Sequence, residues 1–183
     1  MLFRSKILDI GTGSGCIALA LKKHFKNSDV FACDISEGAL DVARENAFAN
    51  GVKVNFLQQD ILQKSNWTTL VPRLPSFDLI VSNPPYVRKS EMEAMHKNVL
   101  DFEPHTALFV EDENALKYYE AITDFALVGN LKKNGYLFFE INEEMADDIC
   151  RMAELKGFSN IQLKKDMRGK DRMLLCQNNF ITL

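Results

Sequence analysis

Three stretches of this chain carry residue types able to do chemistry, and each stands at the end of an apolar run. In FDLIVSNPPYVRKS, Phe77 to Ser90, a run fit for a buried strand passes directly into an asparagine, two prolines and a tyrosine. Prolines remove backbone donors and fix φ, so Asn83, Pro84, Pro85 and Tyr86 present an amide, carbonyls and an aromatic ring on a stiff support. In DIGTGSG, Asp9 to Gly15, glycines alternate where a strand gives way to a helix, a turn tight enough to let a ligand approach the backbone. The spacing is GxGxG rather than GxGxxG, and the absence of GK[ST] excludes a phosphate-binding P-loop. Asp34, nineteen residues beyond Gly15, ends the next strand-like run, where a carboxylate can accept hydrogen bonds from both hydroxyls of a ribose. Asp60 ends the third such run. Any one of these features alone could be a plain turn or a solvated strand end; all of them in order fit an adenosine ligand lying across the carboxyl ends of strands.

The elements that must position these residues alternate. SKILDIG, DVFACDI, VKVNFLQQD, FDLIVSN and GYLFFEI read as strands, and NIQLKKD with RMLLCQN as a final strand pair. Between them CIALALKKHF, EGALDVARENAFAN, ENALKYYEAITDFALVGNLKK and NEEMADDICRMAELKG have helical spacing. Ser36 is a natural N-cap for the second helix and Gly51 a natural stop. Strands alternating with helices predict an α/β fold, a parallel sheet covered on both faces with right-handed crossovers.

A length of 183 residues, 46% hydrophobic and 26% charged, suits one globular domain with a substantial core. The formal net charge of −3 provides no global basic field, which disfavours direct nucleic-acid binding. Cys16, Cys33, Cys150 and Cys176 form no CxxC pair and read as reduced core thiols, with Cys16 expected beneath the glycine turn; no zinc or other metal site is expected. With no export signal and no apolar run of membrane-spanning length, a cytoplasmic protein with no membrane partner is expected, and the sequon at Asn66 carries no weight. His24, His96 and His105 lack metal-like spacing and read as surface or packing residues. Tyr118, Tyr119, Ile122 and Phe125 read as a packed helical face, since no basic residues interleave them as base stacking would require.

In their order and spacing, LDIGTGSGCIALAL, DIS with Asp34, QQDIL with Asp60 and FDLIVSNPPY resemble the S-adenosylmethionine-dependent methyltransferases of the Rossmann-like class. The resemblance implies a seven-stranded, mostly parallel sheet of order 3-2-1-4-5-7-6 with an antiparallel last strand. It implies S-adenosyl-L-methionine as cofactor, held by Asp9, Gly11, Thr12, Gly13, Ser14, Gly15, Asp34, Asp60, Ile61 and Asn83. VLDFEPHTALFVEDENALKYYEAI (Val99 to Ile122), GYLFFEIN and KKDMRGKDRML (Lys164 to Leu174) narrow it to the HemK-type release-factor glutamine methyltransferases, over essentially the whole chain. The implied reaction methylates the side-chain amide of the glutamine in the GGQ loop of a class I peptide chain release factor.

That reaction accounts for the stiff NPPY turn. An amide nitrogen is a poor nucleophile because its lone pair is delocalised into the carbonyl, so orientation is the main contribution an enzyme can make. If the Asn83 side-chain oxygen and the Pro84 carbonyl accept both N–H groups, the lone pair faces the methyl and developing positive charge is stabilised. Tyr86 supplies an aromatic wall, and no metal is needed because the cofactor carries an activated methyl. Enzymes that methylate exocyclic amines of bases share NPPY, so methylation of ribosomal RNA or DNA is the alternative; a cofactor-binding fragment without catalysis is another. By resemblance, Phe102 to Pro104 form the far wall of the substrate entrance, with Glu103 not a catalytic base, and Glu140 is either a pocket-structuring residue or an ordinary rim carboxylate. HemK-type enzymes also carry an amino-terminal helical docking domain and an RPETE-like segment. Both are expected to be absent here, leaving residues 1–183 as the catalytic domain. Asn114 and Ala115 replace the family's Asp-Gly, so a different helix entry is expected.

Overall fold

The computed structural model describes residues 4–65, 67, 76–88, 90–91 and 109–179. Its elements are β1 (Lys6–Ile10), α1 (Cys16–His24), β2 (Asp29–Asp34), α2 (Glu37–Ala49), β3 (Asn55–Gln58), β4 (Phe77–Ser82), β5 (Val87–Arg88), β6 (Phe109–Val110), α3 (Lys117–Phe125), β7 (Leu131–Glu140), α4 (Ala146–Leu155), β8 (Phe158–Lys165) and β9 (Asp171–Asn178). Seven strands form one sheet in the order β3-β2-β1-β4-β7-β9-β8. The first five are mutually parallel, and β9 runs antiparallel to both β7 and β8. The expected α/β sheet and its order are therefore present. A separate two-stranded pair, β5 with β6, sets Val87 opposite Phe109; it was not foreseen.

Side-chain alternation divides the strands between two cores. Ile7, Val30 and Ala32 pack with Ala18 and Leu19 of α1 and Ala47 of α2. Leu8, Ile10, Phe77, Ile80, Leu137 and Phe139 face the larger cluster, which contains Tyr119, Ile122 and Phe125 of α3 and Ile149 of α4. Each fully buried large side chain contributes about 1.5–3 kcal/mol, and Leu8, Phe77, Ile80, Leu137 and Phe139 at the sheet centre are among them. Ser36 caps α2 by accepting the Ala39 amide at 3.2 Å, and Gly51, at φ 62°, follows its end.

The helix expected over residues 113–133 is shorter. A 3-10 turn at Asp112–Asn114 precedes α3. Beyond Phe125 the chain makes one wide turn over Ala126–Asn130, with Gly129 at φ 101°. The Asn130 side chain donates to the Phe125 carbonyl at 2.8 Å, and Leu131 begins β7. A left-handed glycine plus a side-chain donor ends the helix in spite of the apolar spacing. All four cysteines are free and Cys33 and Cys176 are buried, as expected, whereas Cys150 is half-buried and Cys16 is exposed instead of lying beneath the glycine turn. Asn66, His96, Phe102 to Pro104 and His105 lie outside the described residues. His24 is exposed and stacks edge-on against Phe25.

Candidate active site

Sheet register assembles the rim. Ile10 lies beside Cys33 on one flank and Ser82 on the other, and Ser82 lies beside Phe139. One residue further along, Asp34, Gly11, Asn83 and Glu140 therefore emerge in a row at the carboxyl ends of β2, β1, β4 and β7. Ser82 locks the row by donating its hydroxyl to the Ile10 carbonyl at 2.7 Å.

Gly11, Gly13 and Gly15 adopt φ of 70°, 54° and 87°, a region that L side chains rarely enter. Their roles diverge beyond that. A Cβ on Gly15 would sit 2.9 Å from Leu19 Cδ1 and 3.1 Å from Ala43 Cβ, so this glycine lets α1 and α2 pack closely. Among the described residues, no atom lies within 4 Å of a Cβ placed on Gly11 or Gly13. The amides of Gly11 and Thr12 both donate to the Cys33 carbonyl, at 2.8 and 3.0 Å, and Asn46 donates to the Ser14 carbonyl at 3.0 Å. The turn is thus held from β2 and α2 and kept clear on its outer side.

Asp9 is wholly buried beneath this turn. Its Oδ2 accepts the Thr12 hydroxyl at 2.6 Å and the Ala18 amide at 3.1 Å. It thereby caps α1, whose N-cap position is the side-chain-free Gly15. Oδ1 has no partner. Burial pushes the Asp9 carboxyl up to about 6 against the opposing pull of those two hydrogen bonds.

Asp34 turns its carboxylate back on the turn: Oδ2 accepts the Gly13 amide at 2.8 Å and Oδ1 the Ser36 amide at 2.9 Å. Beside it Ile35 is left 63% exposed, a rim apolar residue that sequence reading passed over. Asp60 lies two residues past the end of β3 rather than closing the strand, and its Oδ1 accepts the Leu62 amide at 2.9 Å. Ile61 is buried in the larger core and lines a small apolar cavity with Ile10, Cys33, Leu57 and Phe125. Tyr118, expected only as packing, is half-buried with Asp60 near enough to help burial raise its phenol.

At β4 the Asn83 side chain is exposed and makes no hydrogen bond among the described residues, while Pro84 is buried. Tyr86 packs half-buried against the larger core and donates its hydroxyl to Glu140 Oε1 at 2.9 Å. Burial and the Glu140 charge push this phenol up to about 12, with Arg172 opposing. Tyr86 therefore stays protonated at neutral pH. Asn142 spans both oxygens of Glu91 at 3.2 Å, and Glu91 pairs with Arg88. The tail segment KKDMRGKDRML, legible only as a resemblance, supplies Arg172 to this cluster.

The sheet order and the glycine turn at its carboxyl end define the methyltransferase class of α/β fold. The solved structure of a methyltransferase from Pyrococcus furiosus has this fold, with a TM-score of 0.68 at 20% identity over 97% of this chain and 76% of that one. The family described as methyltransferase small domain matches residues 1–124, and the chain belongs to it. It is similar to the release factor glutamine methyltransferase of Flavobacterium psychrophilum, 49% identical over 92% of this chain and 57% of that protein. The enzyme of the same name from Bacteroides thetaiotaomicron is 43% identical over 92% of this chain and 59% of its own length. The chain thus spans a little under three fifths of these curated relatives. Among the described residues, no helix is long and apolar enough to cross a membrane.

Proposed function

We propose that residues 1–183 act as the catalytic domain of a release factor glutamine methyltransferase in the cytoplasm. The methyl donor is S-adenosyl-L-methionine and the acceptor is the side-chain amide nitrogen of the GGQ glutamine in a class I peptide chain release factor. The observation that carries this reading is the pairing of a stiff Asn83–Pro84 acceptor edge with the open glycine turn one strand away in the same sheet row.

The residues present fit that cofactor. Open space beside Gly11 and Gly13 leaves room for a ligand against the backbone, Asp34 offers a carboxylate at the neighbouring strand end, and Asp9 keeps a buried acceptor oxygen without a partner. When bound, the cofactor supplies an activated methyl group. The chain's own contribution is orientation: the Asn83 oxygen and Pro84 carbonyl accept the two amide N–H groups of the substrate, leaving the nitrogen lone pair as the group that faces the methyl. Tyr86 walls the planar amide.

The test is transfer of radiolabelled methyl to a panel of intact release factor, ribosomal RNA and DNA, with the labelled position mapped. Label on the GGQ glutamine is expected. Label on a base amine would replace the protein substrate with a nucleic acid, and cofactor binding without transfer to any of them would leave a non-catalytic domain.

A further inference from the structure

Glu140 is the point where three distant parts of the chain meet. Its side chain accepts the Tyr86 hydroxyl at 2.9 Å across 54 residues, and its main-chain carbonyl accepts the Tyr119 hydroxyl at 3.1 Å. Arg172 closes the cluster from β9. Its Nη1 donates to the Ile141 carbonyl at 3.3 Å, its own carbonyl accepts the Ile141 amide at 2.9 Å, and its guanidinium acts on the Tyr86 phenol. The main-chain carbonyl of Tyr86 meets the Asn142 amide at 3.5 Å. The residue that ends the NPPY turn is therefore held at its side-chain tip by β7 and approached at its backbone by the Asn142 side chain, two residues beyond β7.

Between Tyr86 and Asn83 stand two prolines, whose rings fix φ. With φ fixed at both intervening positions, the path from the held phenol to the Asn83 backbone has fewer free torsions than an ordinary turn of this length, and the Asn83 side chain makes no hydrogen bond among the described residues that would hold it independently. We propose that Glu140, steadied by Arg172, is a positioning residue: by holding the Tyr86 hydroxyl it sets the direction in which the Asn83 side chain and the Pro84 carbonyl present their acceptors. The assignment rests on the reading of Asn83 and Pro84 as the amide-orienting pair. Among the described residues the Arg172 guanidinium also lies 3.9 Å from Asp166.

Two sets of measurements on the full chain test it. In the first, kcat at saturating release factor is compared for Tyr86→Phe, Glu140→Ala, Glu140→Gln and the Tyr86→Phe/Glu140→Ala double variant, with cofactor affinity followed by calorimetry. Tyr86→Phe and Glu140→Ala should each lower kcat by roughly ten- to a hundredfold, the scale of a small misplacement of reacting groups. The double variant should lose no more than the worse single one, and Glu140→Gln, whose amide oxygen still accepts the hydroxyl, should retain most of the rate. Cofactor affinity should be unchanged. Additive losses, or an unchanged kcat in both single variants, would overturn the proposal. The second set needs no substrate: the Asn83 side-chain amide resonance, assigned by its loss in Asn83→Ala, should shift in Glu140→Ala and stay near its wild-type position in Glu140→Gln. A folded Glu140→Ala chain with an unmoved Asn83 resonance refutes the positioning role even if the acceptor proves not to be a release factor. A shifted resonance in a chain that methylates no release factor upholds the positioning and rejects only the substrate.

Discussion

The Asp34 carboxylate accepts the Gly13 amide at 2.8 Å, tying the end of β2 to the glycine turn across 21 residues. In the proposed cofactor site the same group would both meet ribose hydroxyls and shape the loop that lies against the rest of the cofactor. Asp34→Ala should weaken cofactor binding by about 1.5–3 kcal/mol, the range for hydrogen bonds to a charged group. Calorimetric titration checks it, and unchanged affinity in a folded variant removes Asp34 from the site.

Asn83 should divide chemistry from binding. Its side chain is exposed and makes no bond among the described residues, so Asn83→Ala should leave the fold and cofactor affinity nearly intact. The methyl-transfer rate should fall on the order of a hundredfold or more, as for loss of one transition-state hydrogen bond. Single-turnover kinetics with labelled cofactor measures this; a collapse of cofactor affinity alone would move Asn83 into the cofactor pocket.

The glycines should separate in the same way. Gly15→Ala brings a methyl to 2.9 Å from Leu19 Cδ1 at a φ of 87°, so left-handed strain and overpacking together should cost about 2–4 kcal/mol of stability. Gly13→Ala meets no atom within 4 Å; it should cost only the backbone strain, about 1–2 kcal/mol, while losing cofactor affinity disproportionately. Denaturant melts set beside calorimetry distinguish the two; equal stability losses would refute the division of roles.

Asp9 predicts a pH dependence with a definite sign. Burial raises its carboxyl from an ordinary 3.8 to about 6. Between those values the folded chain binds the extra proton, so the contribution of Asp9 to stability is fully present below the lower value and is lost as pH rises through the upper one. The loss is on the order of 3 kcal/mol. Urea melts of the ligand-free chain from pH 4 to pH 7 should show a wild-type-minus-Asp9→Asn difference that declines with that span, and a flat difference would contradict it.

Much of the scaffold could be read locally. Apolar periodicity marked the strands and helices, Ser36 and Gly51 marked the ends of α2, and alternate glycines marked a turn that only positive φ could make. The carboxylates at Asp34 and Asp60 and the NPPY turn were visible as residue types placed after strands. These signals act within a few positions along the chain, where backbone sterics decide the outcome. The same local reading failed where a non-local partner or a single torsion overrode the pattern. The helix through α3 stopped at Gly129 and Asn130, and Cys16 faced solvent rather than the underside of the turn.

Sequence alone determined that a tight glycine turn, strand-end carboxylates and a rigid amide-bearing turn had to exist, because φ restrictions and hydrophobic alternation belong to each residue and its immediate neighbours. Tertiary structure alone decided which of those groups meet. Asp9 caps a helix whose N-cap has no side chain, Gly15 serves packing while Gly11 and Gly13 stay open, and Glu140 takes the Tyr86 hydroxyl across 54 residues with Arg172 alongside. Those choices follow from sheet register, which a slip of one residue would reverse by sending every side chain of a strand to the opposite face.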